Sequence, residues 1–486
     1  MSFLDSKQWS GKIYNGDWIA GGGGEYTVRE PATGGELGVL GKATPDDVRA
    51  AAERAREAQV GWAKLPYDQR AAILRKAAAL WIEHAGEVSE WIIREAGSTP
   101  PKAGFETHMA EGLCHAGAAL TMHPYGELIR STQDRMSLTR RLPAGVVGVI
   151  APFNVPLVLA IRYVAPALAL GNSVLLKPDP RTAVSGGVTL ARVFEEAGVP
   201  PGVLSVLPGG VDVGEAIIKD PAVSVIVFTG STRGGRAVGQ LAAAHLKKVH
   251  LELGGNSAFV VLDDADLDRA IPAGAFGSFF HQGQVCMAAS RHLVHAGIAE
   301  GYTAKMVEHA DRLTVGNPAA GEFALGPVID EGQRDRIHNL VTASISGGAR
   351  LAAGGTYENL FYRPTVLAEV PTSAPAYAEE IFGPVAPITT FKTIEEAAAL
   401  ASDTPYGLSL SIITRDVMKG MALAERIPSG LVHINDQPIS DEPTVPFGGV
   451  KDSGAGSHLG GFAANLEAFT ELQWVTMRTD VPPYPF

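Results

Sequence analysis

A cysteine that follows a short polar turn and a glutamate that precedes a glycine pair are the residues of this 486-residue chain best suited to covalent chemistry. The stretch His250–Met287 reads HLELGGNSAFVVLDDADLDRAIPAGAFGSFFHQGQVCM, with Glu252 placed 34 residues ahead of Cys286, one of two cysteines. A lone thiol is usually a buried apolar group. Here Gln282, Gly283 and Gln284 precede it and Met287, Ala288 and Ala289 follow, so a turn delivers the sulfur to the start of a small-residue segment. Such a position lowers a thiol pKa and keeps the sulfur reachable. Glu252 stands at a strand end before Gly254 and Gly255, which allow close approach of backbone or ligand. A nucleophilic thiol and a carboxylate able to take a proton are the minimum set for acyl transfer through a thioester.

Other residues could serve binding. Gly230-Ser231-Thr232-Arg233-Gly234-Gly235 lies between a strand and a helix, where amides and the helix dipole can face a phosphate. It is not the G-x-G-x-x-G fingerprint, and an ordinary strand-to-helix turn fits equally well. Lys177 ends the apolar run SVLLKP, which also suits a snorkelling lysine. Asn154, in APFNVP, is held between prolines that restrict the backbone and could cap the helix that follows. The 13 histidines show no metal-ligand spacing, and His281 reads as a packing or hydrogen-bonding residue, so no metal is expected.

The elements that must position these residues follow from periodicity. Residues 12–29 read as a hairpin around Asn15, Gly16 and Asp17, followed by helices at 44–61 and 67–96. From Gly145 to Leu253, VVGVIAPF, SVLLKP, VLSVLPG, SVIVFTG and KVHLELG alternate with amphipathic stretches, the pattern of a parallel sheet with crossover helices. Ligands bind such sheets beyond the carboxyl ends of the strands, where the chemistry-bearing residues fall. A second α/β region begins beyond Asn256 and carries Cys286. Residues 123–143 alternate like a surface hairpin. The tail 470–477 has strand character with little to bury against locally, so it is expected to pair elsewhere in the assembly, on the excursion of a neighbouring subunit.

Length allows more than one domain, and 46% hydrophobic against 19% charged residues allows a large core. A formal charge of −12 argues against nucleic-acid or acidic-membrane partners. No apolar run reaches transmembrane length, no secretory pattern opens the chain, and two cysteines suit a reducing compartment, so a cytoplasmic protein is expected.

ELGGNSA, GQVC, APFNVP, LLKP, FTGST, EEIFGPV and PFGGVKDSG occur in an order and at distances that resemble the aldehyde dehydrogenase superfamily over most of the chain. The resemblance implies an α/β fold with a Rossmann-like cofactor domain (1–122 and 144–254), an α/β catalytic domain (255–465) and oligomerisation segments (123–143 and 466–486) in a homodimer or homotetramer. It implies Cys286 as nucleophile, Glu252 as the base that activates water, and Asn154 as an oxyanion donor with the Cys286 amide. It assigns Ile150, Pro152, Lys177, Pro180, Gly210, Phe228, Gly230, Ser231, Gly235, Leu253, Glu380 and Phe382 to a nicotinamide dinucleotide. A carboxylate at 252 favours hydrolysis over transfer to coenzyme A.

Two features bear on specificity. Family members that prefer NAD usually carry a glutamate where this chain has Pro180, and Arg181 adjoins it, so NAD or NADP is expected. FNVPLVLAIRYVAPALALGN, KPDPRT and HQGQVCMA resemble the branch acting on benzaldehyde-like substrates. On that reading Val155, Val158 and Leu159, on one helix with Asn154, wall a flat apolar pocket with Phe447, and Arg162 meets a polar substituent or forms an interdomain ion pair. The alternatives are an aliphatic aldehyde or semialdehyde dehydrogenase, or a non-catalytic protein on the same fold.

Overall fold

The computed structural model describes residues 2–456 and 458–485. Its first sheet has eight strands in the order Trp18–Ala20, Lys12–Asn15, Leu204–Val206, Ser173–Lys177, Val146–Ile150, Val223–Thr229, Lys248–Glu252 and Gly454–Ala455. The five strands from Leu204–Val206 to Lys248–Glu252 run parallel, and the outer members are antiparallel. Continuous apolar runs suit strands covered by helices on both faces, and every residue of Val146–Ile150 and Ser173–Lys177 is buried. The cover includes Pro45–Lys64, whose Thr44 and Asp47 form a reciprocal capping box, and Val158–Ala169, which is buried all round.

The second sheet has seven strands: Arg350–Ala353, Thr365–Ala368, Val385–Phe391, Ala289–His295, Ser257–Val261, Ser409–Ile413 and Leu431–Ile434. All its pairings are parallel except Arg350–Ala353 with Thr365–Ala368. Among the described residues no helix is long and apolar enough to cross a membrane.

Three expectations are corrected. The segment 67–96 is two helices, Tyr67–Glu83 and Ala85–Ala96, broken at His84. The N-terminal segment docks on that joint: Phe3 stacks on His84 at 3.9 Å, and the Glu87 carboxylate accepts the Phe3 and Leu4 amides. The tail strand Thr470–Met477 pairs along its whole length with Met136–Pro143 of the same chain, in a three-stranded sheet with Gly126–Leu128. The pairing within the chain satisfies one side of this strand's backbone and leaves its other side as an edge of the sheet. Gly454–Ala455 and Leu459 do not stay with the second sheet. Gly454–Ala455 adds to the edge of Lys248–Glu252, and Leu459, Leu466, Ala468 and Phe469 join the core around Val158–Ala169.

Candidate active site

Register aligns the strand ends. Ile150 pairs with Lys177 on one side and Phe228 on the other, and Thr229 pairs with Glu252, so these residues share the carboxyl edge of the first sheet. Past that edge the Gly230 amide donates to the Glu252 carbonyl (3.0 Å), and Ser231 caps the helix Thr232–Ala244 by accepting from the Gly234 amide (3.2 Å). The Phe228 ring lies under Gly230 and Gly234. A Cβ on Gly235 would collide with Leu253. Gly210 stands at the start of the neighbouring helix Val211–Lys219, and the aliphatic part of Lys177 passes Gly214 beside Ile150, at 3.6 Å from where a Cβ would sit. Burial lowers the Lys177 pKa, opposed by Asp179 and Asp212. Its ammonium reaches one carbonyl, that of Pro178, at 3.5 Å. Two helix N-termini, an apolar floor and a buried lysine with weak local bonding fit a dinucleotide.

Pro152 and Phe153 occupy the loop after Val146–Ile150, and Pro180 opens a short turn, Pro180–Thr182. Arg181 is not free to meet a phosphate. Both Asp179 oxygens accept from it (2.9 and 2.8 Å), Asp330 accepts at 2.6 Å, and its guanidinium lies 4.2 Å from the Phe153 ring centre. Phe153 in turn meets Phe382 edge-on at 5.9 Å.

The glycines after Glu252 permit the next contacts. The Gly255 amide donates to Glu380 (3.1 Å); a Cβ on Gly254 would strike the Glu380 carboxylate, and one on Gly255 would strike the Cys286 carbonyl. Gly254 and Gly255 are therefore where the cofactor edge and the nucleophile segment approach most closely. Cys286 arrives after three successive left-handed residues, His281 (φ 49°), Gln282 (φ 55°) and Gly283 (φ 66°). Two of them are not glycine, so the turn carries backbone strain that its surroundings must hold. Gln282 donates to the Gly97 and Pro327 carbonyls (2.8 and 2.7 Å), and Gln284 accepts from the Ile329 amide (3.0 Å). The Asn154 amide donates to the Gln284 carbonyl at 2.8 Å, which brings Asn154 to the nucleophile turn across 130 residues of chain.

The helix after Asn154 begins at Val158, so Asn154 and Val155 precede it rather than lying on it. Pro156 sets that boundary by disfavouring helical backbone at Val155. Val158 is buried in the core of the first sheet's layer, and Val155 packs partly against it. Leu159 is buried as well. Cys286 packs against an apolar cluster of Val285, Met287, Ala288, Leu408 and Phe447, with Phe280, Leu431 and Ile439 half-buried at their edge. Arg162 is buried in an ion pair with Asp441, its guanidinium 5.3 Å from the Phe447 ring centre. Phe280, Ile439 and Asp441 escape a reading of the sequence because no local pattern marks them; Asp441 meets Arg162 only through the fold.

Electrostatics oppose the expected low thiol pKa. Burial, then the carboxylates of Glu380, Glu252 and Asp441, push the Cys286 thiol up to about 12. Burial raises Glu252 well above the usual carboxylate range; Arg162 opposes this and Asp441 adds to it. Burial also takes Glu380 to about 7, opposed by the Gly255 amide and Arg336. A thiol that burial keeps proton-bearing makes the unliganded site a weak nucleophile at neutral pH. Alkylation of Cys286 by iodoacetamide in the unliganded protein should therefore rise roughly tenfold per pH unit from 7 to 9. A rate already at its plateau at pH 7 would contradict that environment.

The arrangement combines a thiol, a buried carboxyl, a side-chain amide beside the thiol's turn and a phosphate-compatible cleft. Comparison with known proteins agrees with it. The profile of the aldehyde dehydrogenase family matches residues 18–475. A vanillin dehydrogenase of Amycolatopsis sp. is 61% identical over 486 residues, all of both chains. A benzaldehyde dehydrogenase [NAD(+)] of Pseudomonas putida is 49% identical, covering 98% of each. The crystal structure of a salicylaldehyde dehydrogenase from Pseudomonas putida G7, complexed with salicylaldehyde, superposes with a TM-score of 0.94 at 34% identity, covering 98% of this chain and 99% of that one. With the sheets, the cleft and the cysteine of that architecture all in place, this chain belongs to the aldehyde dehydrogenase family and is an oxidoreductase.

Proposed function

We propose that the protein oxidises an aromatic aldehyde to its carboxylic acid with NAD or NADP, through a thioester on Cys286. The observation that carries the reading is the convergence on one turn of Cys286, of the Asn154 amide and of an apolar surround that includes Phe447 and Phe280. The relatives named for vanillin, benzaldehyde and salicylaldehyde support the aromatic class.

Cys286 gives its thiol proton to water and, as thiolate, adds to the aldehyde carbon. The oxygen gains negative charge and meets the Asn154 amide and the Cys286 backbone amide, donors whose loss costs roughly 10²–10³ in rate. Lys177, Ser231, Glu380 and Phe382 would hold a nicotinamide dinucleotide, which when bound would supply the hydride acceptor; loss of hydride from the adduct carbon leaves a thioester on Cys286. Glu252 then takes a proton from water. The hydroxyl adds to the acyl carbon, the C–S bond breaks, the acid leaves and the thiolate returns. Residues 1–122 and 144–254, with the returning Gly454–Ala455 and Leu459, serve the cofactor side, and the second sheet presents the nucleophile. The three-stranded sheet, with exposed Leu128, Leu472 and Trp474, serves a homo-oligomer of cytoplasmic location.

A flat ring gains from burial in the apolar surround and loses little conformational entropy, whereas an alkyl chain must freeze several rotors. Benzaldehyde should show a higher kcat/KM than hexanal; the reverse order would reject the aromatic assignment. Asp441 balances the charge of Arg162, which weakens its pull on a carboxylated aldehyde. For the cofactor, position 180 holds no acid to repel a 2′-phosphate and Arg181 is engaged elsewhere, so neither dinucleotide is strongly excluded. The ratio of kcat/KM for NAD over NADP should stay below about 10³, roughly 4 kcal/mol of discrimination. A larger ratio would mean that another group excludes the phosphate.

A further inference from the structure

Behind Asn154 lies an ion pair that the proposed chemistry does not use. Lys102 and Glu106 are one turn apart on the helix Pro100–Leu120, and both are fully buried. The Lys102 ammonium donates to Glu106 and to the Asn154 backbone carbonyl (2.8 Å). The other Glu106 oxygen accepts the amides of Leu157 (3.0 Å) and Val158 (3.3 Å), the first donors of the helix that follows Asn154. One ion pair thus grips both ends of the turn whose side-chain amide reaches the Gln284 carbonyl. The buried His281 ring, at the start of the strained turn before Cys286, lies close enough to the Lys102 ammonium to feel its charge.

A buried pair of this kind is a poor device for stability alone. Desolvating two charges generally offsets their attraction, and neutral replacements of similar size are often tolerated. What the pair does supply is direction. It fixes a carbonyl and two amides at set points on either side of the Asn154 side chain.

We propose that Lys102 and Glu106 are positioning residues for oxyanion stabilisation: they hold the Asn154 turn against the nucleophile turn, so formation of the thioester, and its hydrolysis through the same oxyanion, depend on them while cofactor binding does not. This rests on the oxyanion role given to Asn154. Both residues act through Asn154 and neither touches substrate.

The test is a double-mutant cycle read by rapid mixing of the full-length enzyme with NAD and benzaldehyde. Lys102→Met/Glu106→Gln removes both charges and leaves a side-chain carbonyl at position 106 as an acceptor for the two helix amides. Its burst rate of NADH formation should fall roughly tenfold to a hundredfold, short of the roughly 10²–10³ for losing an oxyanion donor outright, with the NAD dissociation constant unchanged. In an Asn154→Ala background the same change should cost less than about twofold more, because residues acting as a unit are not additive. Should the double variant fail to fold, Glu106→Gln alone carries the cycle, with a smaller loss that again vanishes in the Asn154→Ala background. A normal burst rate, or an equal loss in both backgrounds, overturns the positioning role. An unimpaired burst in Asn154→Ala alone overturns instead the oxyanion role beneath it.

Discussion

Replacing Cys286 by alanine will lower dehydrogenation by roughly four or more orders of magnitude, the scale on which removing a covalent nucleophile acts, while NAD binding stays within about twofold. The split follows from placement. The sulfur lies on the segment leading into the second sheet, in an apolar cluster with Val285, Met287 and Phe447. The cleft proposed for the dinucleotide is built on the carboxyl edge of the first sheet, from Lys177, Phe228 and the turn at Ser231. The two meet at the Gly254–Gly255 approach, and an alanine side chain is smaller than the thiol it replaces. Steady-state turnover in this variant above about one part in 10³ would contradict a covalent mechanism.

Glu252→Gln should separate the two halves of the reaction. Attack and hydride departure need the thiolate, the oxyanion donors and the cofactor; deacylation needs a base for water. One equivalent of NADH should form and turnover should then slow by roughly 10²–10⁴, the usual contribution of a positioned base. The direction of the pH effect follows from the environment. Burial holds the Glu252 carboxyl well above its ordinary range, so the wild-type deacylation rate rises with pH as the carboxylate forms, and the Gln variant lacks that limb. A Glu252→Gln enzyme with a full steady-state rate and the wild-type pH profile would assign the water to another group.

The sequence carried the site's ends better than its middle. The runs VVGVI, SVLLK and SVIVFT announce parallel strands because a strand covered on both faces must be apolar throughout. Residues at their carboxyl ends, Ile150, Lys177, Phe228 and Glu252, then align by register alone. The glycines of ELGG signal close approach, although not that the approaching groups are Glu380 and the Cys286 carbonyl. The thiol's electrostatics were out of reach, since the carboxylates that raise it lie at 252, 380 and 441 and meet only in the fold. The helix boundary after Asn154 was written in Pro156, but the helical spacing of Val155, Val158 and Leu159 masked it. The tail strand is legible as a strand, whereas its partner within the same chain is not, because pairing between residues 470–477 and 136–143 has no local signature.

The thioester itself is the most direct object to measure. Glu252→Gln enzyme mixed with NAD and benzaldehyde, quenched in acid after the NADH burst and digested, should yield the peptide containing Cys286 bearing one benzoyl group, in amount equal to the NADH formed. The Cys114 peptide, buried in the core, should be unmodified. NADH formed without an acyl group on Cys286, or an acyl group on another residue, would contradict the account.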